Sequence, residues 1–296
     1  MNFRFPVLLA ACLLALLCNA RAQINVGISL KERLYILHEP IVATVTVTNQ
    51  SGRDLRLSDT AQYQWFGFRI TAADESNVPA RDTRYKLDPL FIKAGETVKR
   101  SIDLQQLFEI GEFGTYRIVA TIYSEEMDKF FSSRPTYVEM TDGRVIWKQV
   151  AGVPAGHPNA GEMRTFSLLI HQRGPGMLLY VRVEDKDSGA IYCTYSIGRM
   201  LEGVPPQAQF DDQNNLYVLS LVGQRAYTLT KIGPNGEFGG QTAYSAPKTR
   251  PYLRKNPSGE LQIVGGVRQQ EVLAQNPGEA AKVPKLSDRP EGIPAN

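Results

Sequence analysis

Apolar and polar residues alternate with a period of two in many short stretches of this 296-residue chain. In Ile41–Thr48, apolar residues occupy every second position and threonines occupy most of the others. Gly114–Tyr123 repeats the pattern, with one face formed by Tyr116, Ile118, Ala120 and Ile122. This period is that of a β-strand with one face buried, and β-branched residues favour such strands. The chain is therefore predicted to be all-β.

Residues 23–142 contain about seven such stretches, separated by breaks and turns. The predicted strands are Ile24–Leu30, Ile41–Thr48, Leu55–Leu57, Phe66–Ala72, Thr97–Leu104, Gly114–Tyr123 and Phe130–Met140. Asn49–Gly52 is a predicted turn, because Asn and Gly tolerate positive φ. Short strands at this spacing favour a β-sandwich. This region is therefore predicted to be one domain.

Tyr116 follows Gly114 by two residues, at the start of a predicted strand. Immunoglobulin-like sandwiches place a corner tyrosine in this setting, and its hydroxyl bonds to nearby backbone. We expect Tyr116 to be structural, with its hydroxyl bonded to backbone between residues 107 and 112.

A resemblance to known domains rests on two motifs, Glu39-Pro40-Ile41-Val42 leading to Asn49, and Gly114-x-Tyr116. Together they resemble bacterial extracytoplasmic immunoglobulin-like domains, and more distantly the domains of macroglobulins and of BsuPI-type proteinase inhibitors. The resemblance covers about residues 24–142. It implies an immunoglobulin-like sandwich and carries little function, since such folds host many activities.

Residues 143–273 are predicted to form an antiparallel β-repeat region. Pro206–Leu219 and Pro251–Val264 share a pattern at an offset of 45 residues, close to the length of a propeller blade. The Asp-x-x-Asn-Asn-Leu-Tyr-Val stretch from Asp211 resembles NHL-type propeller repeats. About three blades fit here, whereas closed propellers use roughly four to eight. An open, incomplete propeller-like form is predicted.

Both chain ends differ from the regions between them. Residues 1–22 combine Arg4, an apolar run from Val7 to Leu17 and a small-x-small end at Ala20–Ala22. These features predict a signal peptide cleaved before Gln23, with lipidation at Cys12 as an alternative. The protein is thus expected to be exported to the periplasm or beyond, without a membrane span after cleavage. Residues 274–296, rich in proline and charge, are predicted to be disordered.

Charge and motifs exclude several functions. Lys and Arg total 33 against 30 Asp and Glu, so nucleic-acid binding is not expected. His38-Glu39 precedes a proline that forbids the helix of a zinc protease. Asp185–Gly189 and Asp211–Asn215 fit hairpin turns better than calcium loops. With no phosphate loop or nucleophile motif, the sequence predicts no catalytic, cofactor or metal site, and hence a protein that is not an enzyme.

The leading hypothesis is an exported binding or structural protein that meets a protein or glycan partner. Tyrosine and arginine are over-represented at interface hot spots, and they concentrate in the second region. The candidate partner-binding residues are Tyr192, Tyr195, Arg225, Tyr227, Tyr244, Arg250, Tyr252 and Arg254. Self-association through unpaired strand edges of this region is also expected. The alternatives are a proteinase inhibitor using the loop Ala73–Arg84, and a carbohydrate-active enzyme with converging carboxylates.

Overall fold

The computed structural model describes residues 23–82, 87–257 and 260–272. Strands account for 58% of the chain and helix for 3%, and the strands pair antiparallel, so the all-β prediction is confirmed. No helix among the described residues is long and apolar enough to cross a membrane. The predicted signal peptide and the predicted disordered tail lie outside the described residues.

Contacts divide the chain into two compact units. The first comprises the chain up to Arg33, together with Ile41–Glu109 and Gly114–Glu139. The second comprises Leu34–Pro40, Ile110–Phe113 and the chain from Met140 onward. Two short segments that precede residue 142 in sequence therefore belong to the second unit by their contacts.

The first unit is built from short antiparallel strands and one helical turn. Its elements are β1 (Ile24–Leu30), β3 (Val42–Asn49), β4 (Leu55–Leu57), β5 (Phe66–Thr71), β6 (Leu90–Ile92), β7 (Thr97–Asp103), α1 (Leu104–Leu107), β8 (Gly114–Ser124), β9 (Lys129–Ser132) and β10 (Thr136–Thr141). One sheet has the order β1-β3-β7, another has β10, β8 and β5 side by side with β9 also on β8, and β4 pairs with β6. Valines of β3 pack with Trp65 and with Ile122 of β8 in one buried core, as the alternation predicts.

Asn49 shows why the predicted turn at the end of β3 forms. Its side chain is fully buried and donates to the carbonyls of Arg53, Ile92 and Lys93 at 2.7–3.1 Å. Its carboxamide oxygen accepts from the backbone and hydroxyl of Ser51. The positive φ of this turn falls on Gly52. Asn49 thus joins two chain segments through its side chain, a role beyond the local turn.

Tyr116 lies in β8 and is buried, two residues after Gly114, whose φ of 128° suits glycine. Its corner role stays a prediction. Tyr116→Phe is expected to lower the free energy of unfolding by about 0.5–1.5 kcal/mol, because one buried hydrogen bond is lost. Urea unfolding of the two proteins would measure this, and an unchanged midpoint would rule out the corner bond.

The second unit contains two antiparallel sheets and a hairpin. Its strands are β2 (Leu34–Ile36), β11 (Arg144–Gly152), β12 (Met163–Arg173), β13 (Gly176–Asp185), β14 (Ile191–Met200), β15 (Gln207–Phe210), β16 (Leu216–Gly223), β17 (Ala226–Ile232), β18 (Phe238–Ser245), β19 (Tyr252–Lys255), β20 (Leu261–Val264) and β21 (Val267–Val272). The first sheet has the order β11-β12-β13-β14 and the second β15-β16-β17-β18-β21, while β19 pairs only with β20.

The two sheets of this unit share a core. On β12, Phe166, Leu168 and Ile170 pack with Leu216 and Val218 of β16. The opposite face of the first sheet packs Leu169 and Tyr180 against Ile36, so the segment 34–40 covers it. Far from each other in sequence, these residues meet because strand alternation places one apolar set on each face.

The β19–β20 hairpin covers the other face of the second sheet. Leu253 of β19 packs with Leu219 of β16 and Tyr227 of β17 in a separate buried cluster. The second sheet is therefore apolar on both faces, which explains the dense hydrophobic run Leu216–Leu221 in β16.

Candidate functional site

Connections between strands collect at one end of the second unit. The end of β14 bonds to β16, since the Leu201 amide donates to the Leu221 carbonyl at 2.9 Å. The β16–β17 turn is held beside the end of β18, because the Ala246 amide donates to the Arg225 carbonyl at 2.8 Å. Ser245 also pairs with Val267 of β21. The antiparallel order thus brings four connections together.

The β20–β21 turn is pressed against the chain that enters β19. Gly265 has a φ of 78°, and an added Cβ would lie 2.8 Å from the carbonyl oxygen of Arg250. Glycine is therefore required there, both for its conformation and for the close approach. This contact fixes the segment around Arg250 at the same end as the other connections.

A cavity of about 490 Å³ opens at this end. Its walls combine apolar and polar side chains, including Met177, Arg199, Met200, Leu201, Glu202 and Val222. An added Cβ on Gly176 would lie 3.9 Å from the Nε of Arg199, so the guanidinium runs along the β12–β13 turn. The volume lies within the range of small-ligand sites, which pair apolar walls with a few polar groups.

Basic side chains surround the cavity. We name as the basic end the four exposed residues Arg199, Arg225, Lys248 and Arg250. Glu202 is the acidic residue in the described connections at this end, from β14 to β15, β16 to β17, β18 to β19 and β20 to β21. A cleft with one dominant sign of charge and low-dielectric walls concentrates ions of the opposite sign. The basic end can therefore hold carboxylates or other anionic groups.

No family model, curated protein or solved structure matches this chain. The functional interpretation consequently rests on the chain's own geometry.

The structure brings some of the candidate partner-binding residues to the basic end and buries others. Arg225 and Arg250 belong to the basic end, and Tyr252 is exposed immediately after Arg250. Tyr244 is half-buried against the β19–β20 hairpin, and Arg254 is exposed on β19. That these five meet a partner stays a prediction, and the surface they share includes the four connections described above.

Three of the predicted tyrosines lie elsewhere. Tyr195 and Tyr227 are buried in the two cores of the second unit, with 8% and 6% of their surface exposed. They fill strand positions, and their side chains are inaccessible to a partner in this conformation. Tyr192 is exposed near the opposite end, where its ring stacks on Arg164 at 4.0 Å.

Tyr195 and Cys193 close the lower part of the sheet core around Gly236. The Tyr195 hydroxyl donates to the Gly236 carbonyl at 3.0 Å, and burial raises the pKa of Tyr195. Gly236 has a φ of 88°, and an added Cβ would collide with the Cys193 sulfur. The hydroxyl is thus satisfied inside the protein, which is the usual condition for a buried tyrosine.

Cys193 is expected to be unreactive in the folded protein. Burial raises the pKa of its thiol to about 12, and the thiolate is the reactive form. At neutral pH the thiol therefore stays protonated. Iodoacetamide followed by mass spectrometry of the Cys193 peptide should show little alkylation in buffer and full alkylation in denaturant. Rapid labelling of the folded chain would contradict the buried placement.

Glu39 is a structurally important residue for which sequence reasoning found no role. The Arg173 guanidinium donates two hydrogen bonds to its carboxylate, at 3.1 and 2.6 Å. The Tyr180 hydroxyl and the Ile36 amide also donate to it, at 3.3 and 3.2 Å. His38, with a φ of 68°, turns the chain so that Glu39 enters the sheet face. This carboxylate is saturated by partners and anchors the segment 34–40.

The loop proposed for proteinase inhibition is tied to the first unit over most of its described length. The Ala72 amide bonds to the Ser76 carbonyl, and the Asp74 side chain accepts from Ser76. Further along, the Arg81 amide bonds to the Leu107 carbonyl at 2.8 Å. Residues 83–86 lie outside the described residues. The described part therefore forms a tight turn followed by a bonded strand-like segment.

Carboxylates do not pair in the cavity, whose lining includes one acidic residue, Glu202. Glycoside hydrolysis ordinarily needs two, at a defined separation. Within the described ranges, no group of three or more His, Cys, Asp and Glu side chains is arranged to hold a metal ion. The arrangement is suited to holding an anionic group between arginines.

Proposed function

We propose that this chain is an exported, non-enzymatic binding protein whose second unit recognises an acidic partner at the basic end. The observation that carries the proposal is the cavity of about 490 Å³ surrounded by the basic end. Arginine suits this role, because its planar guanidinium binds carboxylates through two hydrogen bonds and keeps its charge at every physiological pH.

The finer architecture is part of the same proposal. The first unit is an immunoglobulin-like sandwich, supported by its antiparallel sheets around one core and by the Gly114–Tyr116 start of β8. The second unit is an incomplete propeller-like stack. Its support is the two antiparallel sheets sharing one core, with the β19–β20 hairpin as a third, partial layer. Both scaffolds carry recognition sites on their connections.

A labelled oligoglutamate peptide is a direct probe of this site. Fluorescence anisotropy at low ionic strength should detect its binding to the wild-type chain, and added salt should weaken it. Arg199→Gln is expected to weaken binding by about tenfold, which corresponds to about 1.4 kcal/mol. The reason is that Arg199 both lines the cavity and carries the charge.

Lys186→Gln is the matched control. It removes one exposed positive charge from the β13–β14 turn at the opposite end of the same unit. If this control weakens the peptide as much as Arg199→Gln does, the attraction is a property of total charge and the site is wrongly placed. Absence of binding at low ionic strength would overturn the proposed function itself.

A further inference from the structure

Charges in the second unit are segregated between its two ends. The strands alternate in direction, so successive turns fall at alternate ends of the sheets. The turns and connections opposite the basic end follow β13, β15, β17 and β19. We name as the acidic end five residues of these turns, Asp187, Asp211, Asp212, Glu237 and Glu260. Lys186 is the one basic residue that the described parts of these four turns contain.

The acidic end keeps most of its charge available. Asp187, Asp212, Glu237 and Glu260 are all exposed. Asp212 has a Lys255 ammonium 4.0 Å away, and both side chains are about half exposed. A pair of this kind is worth little, since solvent screens it and both side chains remain mobile. Neighbouring Asp185 and Glu162, by contrast, are bound to Arg164 and are excluded from the acidic end.

We infer that the acidic partner is the acidic end of a second copy of this chain. This inference rests on the proposed function and names the partner of the same site. One unit carries both halves of a complementary pair on opposite ends, so copies in the same orientation bring acidic turns to the cavity of the next copy. Complementary charge at an interface steers the encounter and fixes its register. A contact between different surfaces of identical chains is heterologous and can propagate.

Two reversed variants test the inference on the whole chain with its leader removed. One carries Arg225→Glu and Arg250→Glu, and the other carries Asp187→Lys and Asp212→Lys. All four positions are exposed in turns, where substitutions usually change stability little. Circular dichroism melting curves would verify that each variant folds. Sedimentation velocity over a range of concentrations, at about 0.01 M and about 1 M salt, then reports association.

The wild-type chain should sediment as concentration-dependent oligomers at low salt and as a monomer at high salt. Each reversed variant alone should be monomeric at low salt, because every head-to-tail contact then joins like charges. An equimolar mixture of the two variants should associate again, since an unaltered acidic end meets an unaltered basic end. Renewed association of the mixture is specific to head-to-tail pairing.

Two results would overturn the inference. A wild-type chain that stays monomeric at low salt, while the oligoglutamate peptide still binds and Arg199→Gln still weakens it, leaves the proposed function standing and makes the partner a different acidic protein. Oligomers that persist in both reversed variants would assign association to strand edges, as unpaired edges in this unit allow. If neither the peptide nor a second copy binds, the proposed function fails as well.

Discussion

Replacing Glu39 by leucine is expected to lower the free energy of unfolding of the second unit by about 3–5 kcal/mol, the range for breaking a buried ion pair. The side chains of Glu39 and Arg173 are 10% and 15% exposed. The variant leaves a guanidinium in this environment without the carboxylate that accepts two of its hydrogen bonds. It also removes the acceptor of the Ile36 amide, so the cost exceeds that of one hydrogen bond.

Urea unfolding can follow the second unit separately. The chain has two tryptophans, Trp65 in the first unit and Trp147 in the second. In a Trp65→Phe background, fluorescence therefore reports the surroundings of Trp147, and the Glu39→Leu variant is compared with this parent. A fall in the midpoint at an unchanged slope measures the loss of stability.

A double variant and a surface pair serve as controls. Glu39→Leu with Arg173→Met should recover much of the loss, because replacing both buried charges by apolar groups is often neutral. Glu184→Leu breaks the Lys148–Glu184 pair, in which the lysine is 57% exposed, and should cost about 1 kcal/mol or less. If Glu39→Leu costs no more than Glu184→Leu, the buried pair does not stabilise the unit.

The strand pattern was predictable because alternation is local. Val45 and Val47 are buried on β3 while the threonines between them are half-exposed, as the sequence alone indicates. The same logic applies to Tyr195: it shares a strand face with Cys193 and Ile197, and that spacing could have identified it as a core residue. Period-two reading thus separates buried from exposed tyrosines wherever the strand is known.

Contacts between distant segments were not predictable in this way. Glu39 and Arg173 are 134 residues apart, and the sequence near Glu39 indicates only a break before Pro40. The basic end likewise joins residues from Arg199 to Arg250, whose meeting depends on the number and direction of the strands between them. Charges spaced along a chain of small net charge show no cluster until the turns are assigned to ends.

Arg164→Met is expected to lower the free energy of unfolding by about 3 kcal/mol, near the lower limit for a broken buried pair. The Arg164 side chain is fully buried, and its guanidinium donates to Asp185 at 2.8 Å and Glu162 at 2.6 Å. Tyr192 stacks on the same group. Methionine fills part of the volume but leaves two neighbouring carboxylates without their shared cation.

Lysine at position 164 is the informative comparison. Arg164→Lys keeps the charge, but an ammonium lacks the planar fork that reaches both carboxylates and stacks on the Tyr192 ring. It should therefore recover only part of the stability lost in Arg164→Met. Full recovery would show that charge alone matters at this position, and that the bonded geometry and the Tyr192 stacking contribute nothing measurable.

The difference between wild type and Arg164→Met should also shrink in acid. The pKa of Asp185 is lowered, first by hydrogen bonds from the Ser188 amide and hydroxyl and then by Arg164. A carboxyl with a lowered folded pKa stabilises the fold above its ordinary pKa of about 3.9, and this contribution is lost as pH falls through the folded value. Arg164 supplies part of that lowering, so its share disappears once Asp185 is protonated. Urea unfolding at about pH 7 and about pH 3 would measure the change, and a constant difference would show that Arg164 acts through packing rather than through its carboxylates.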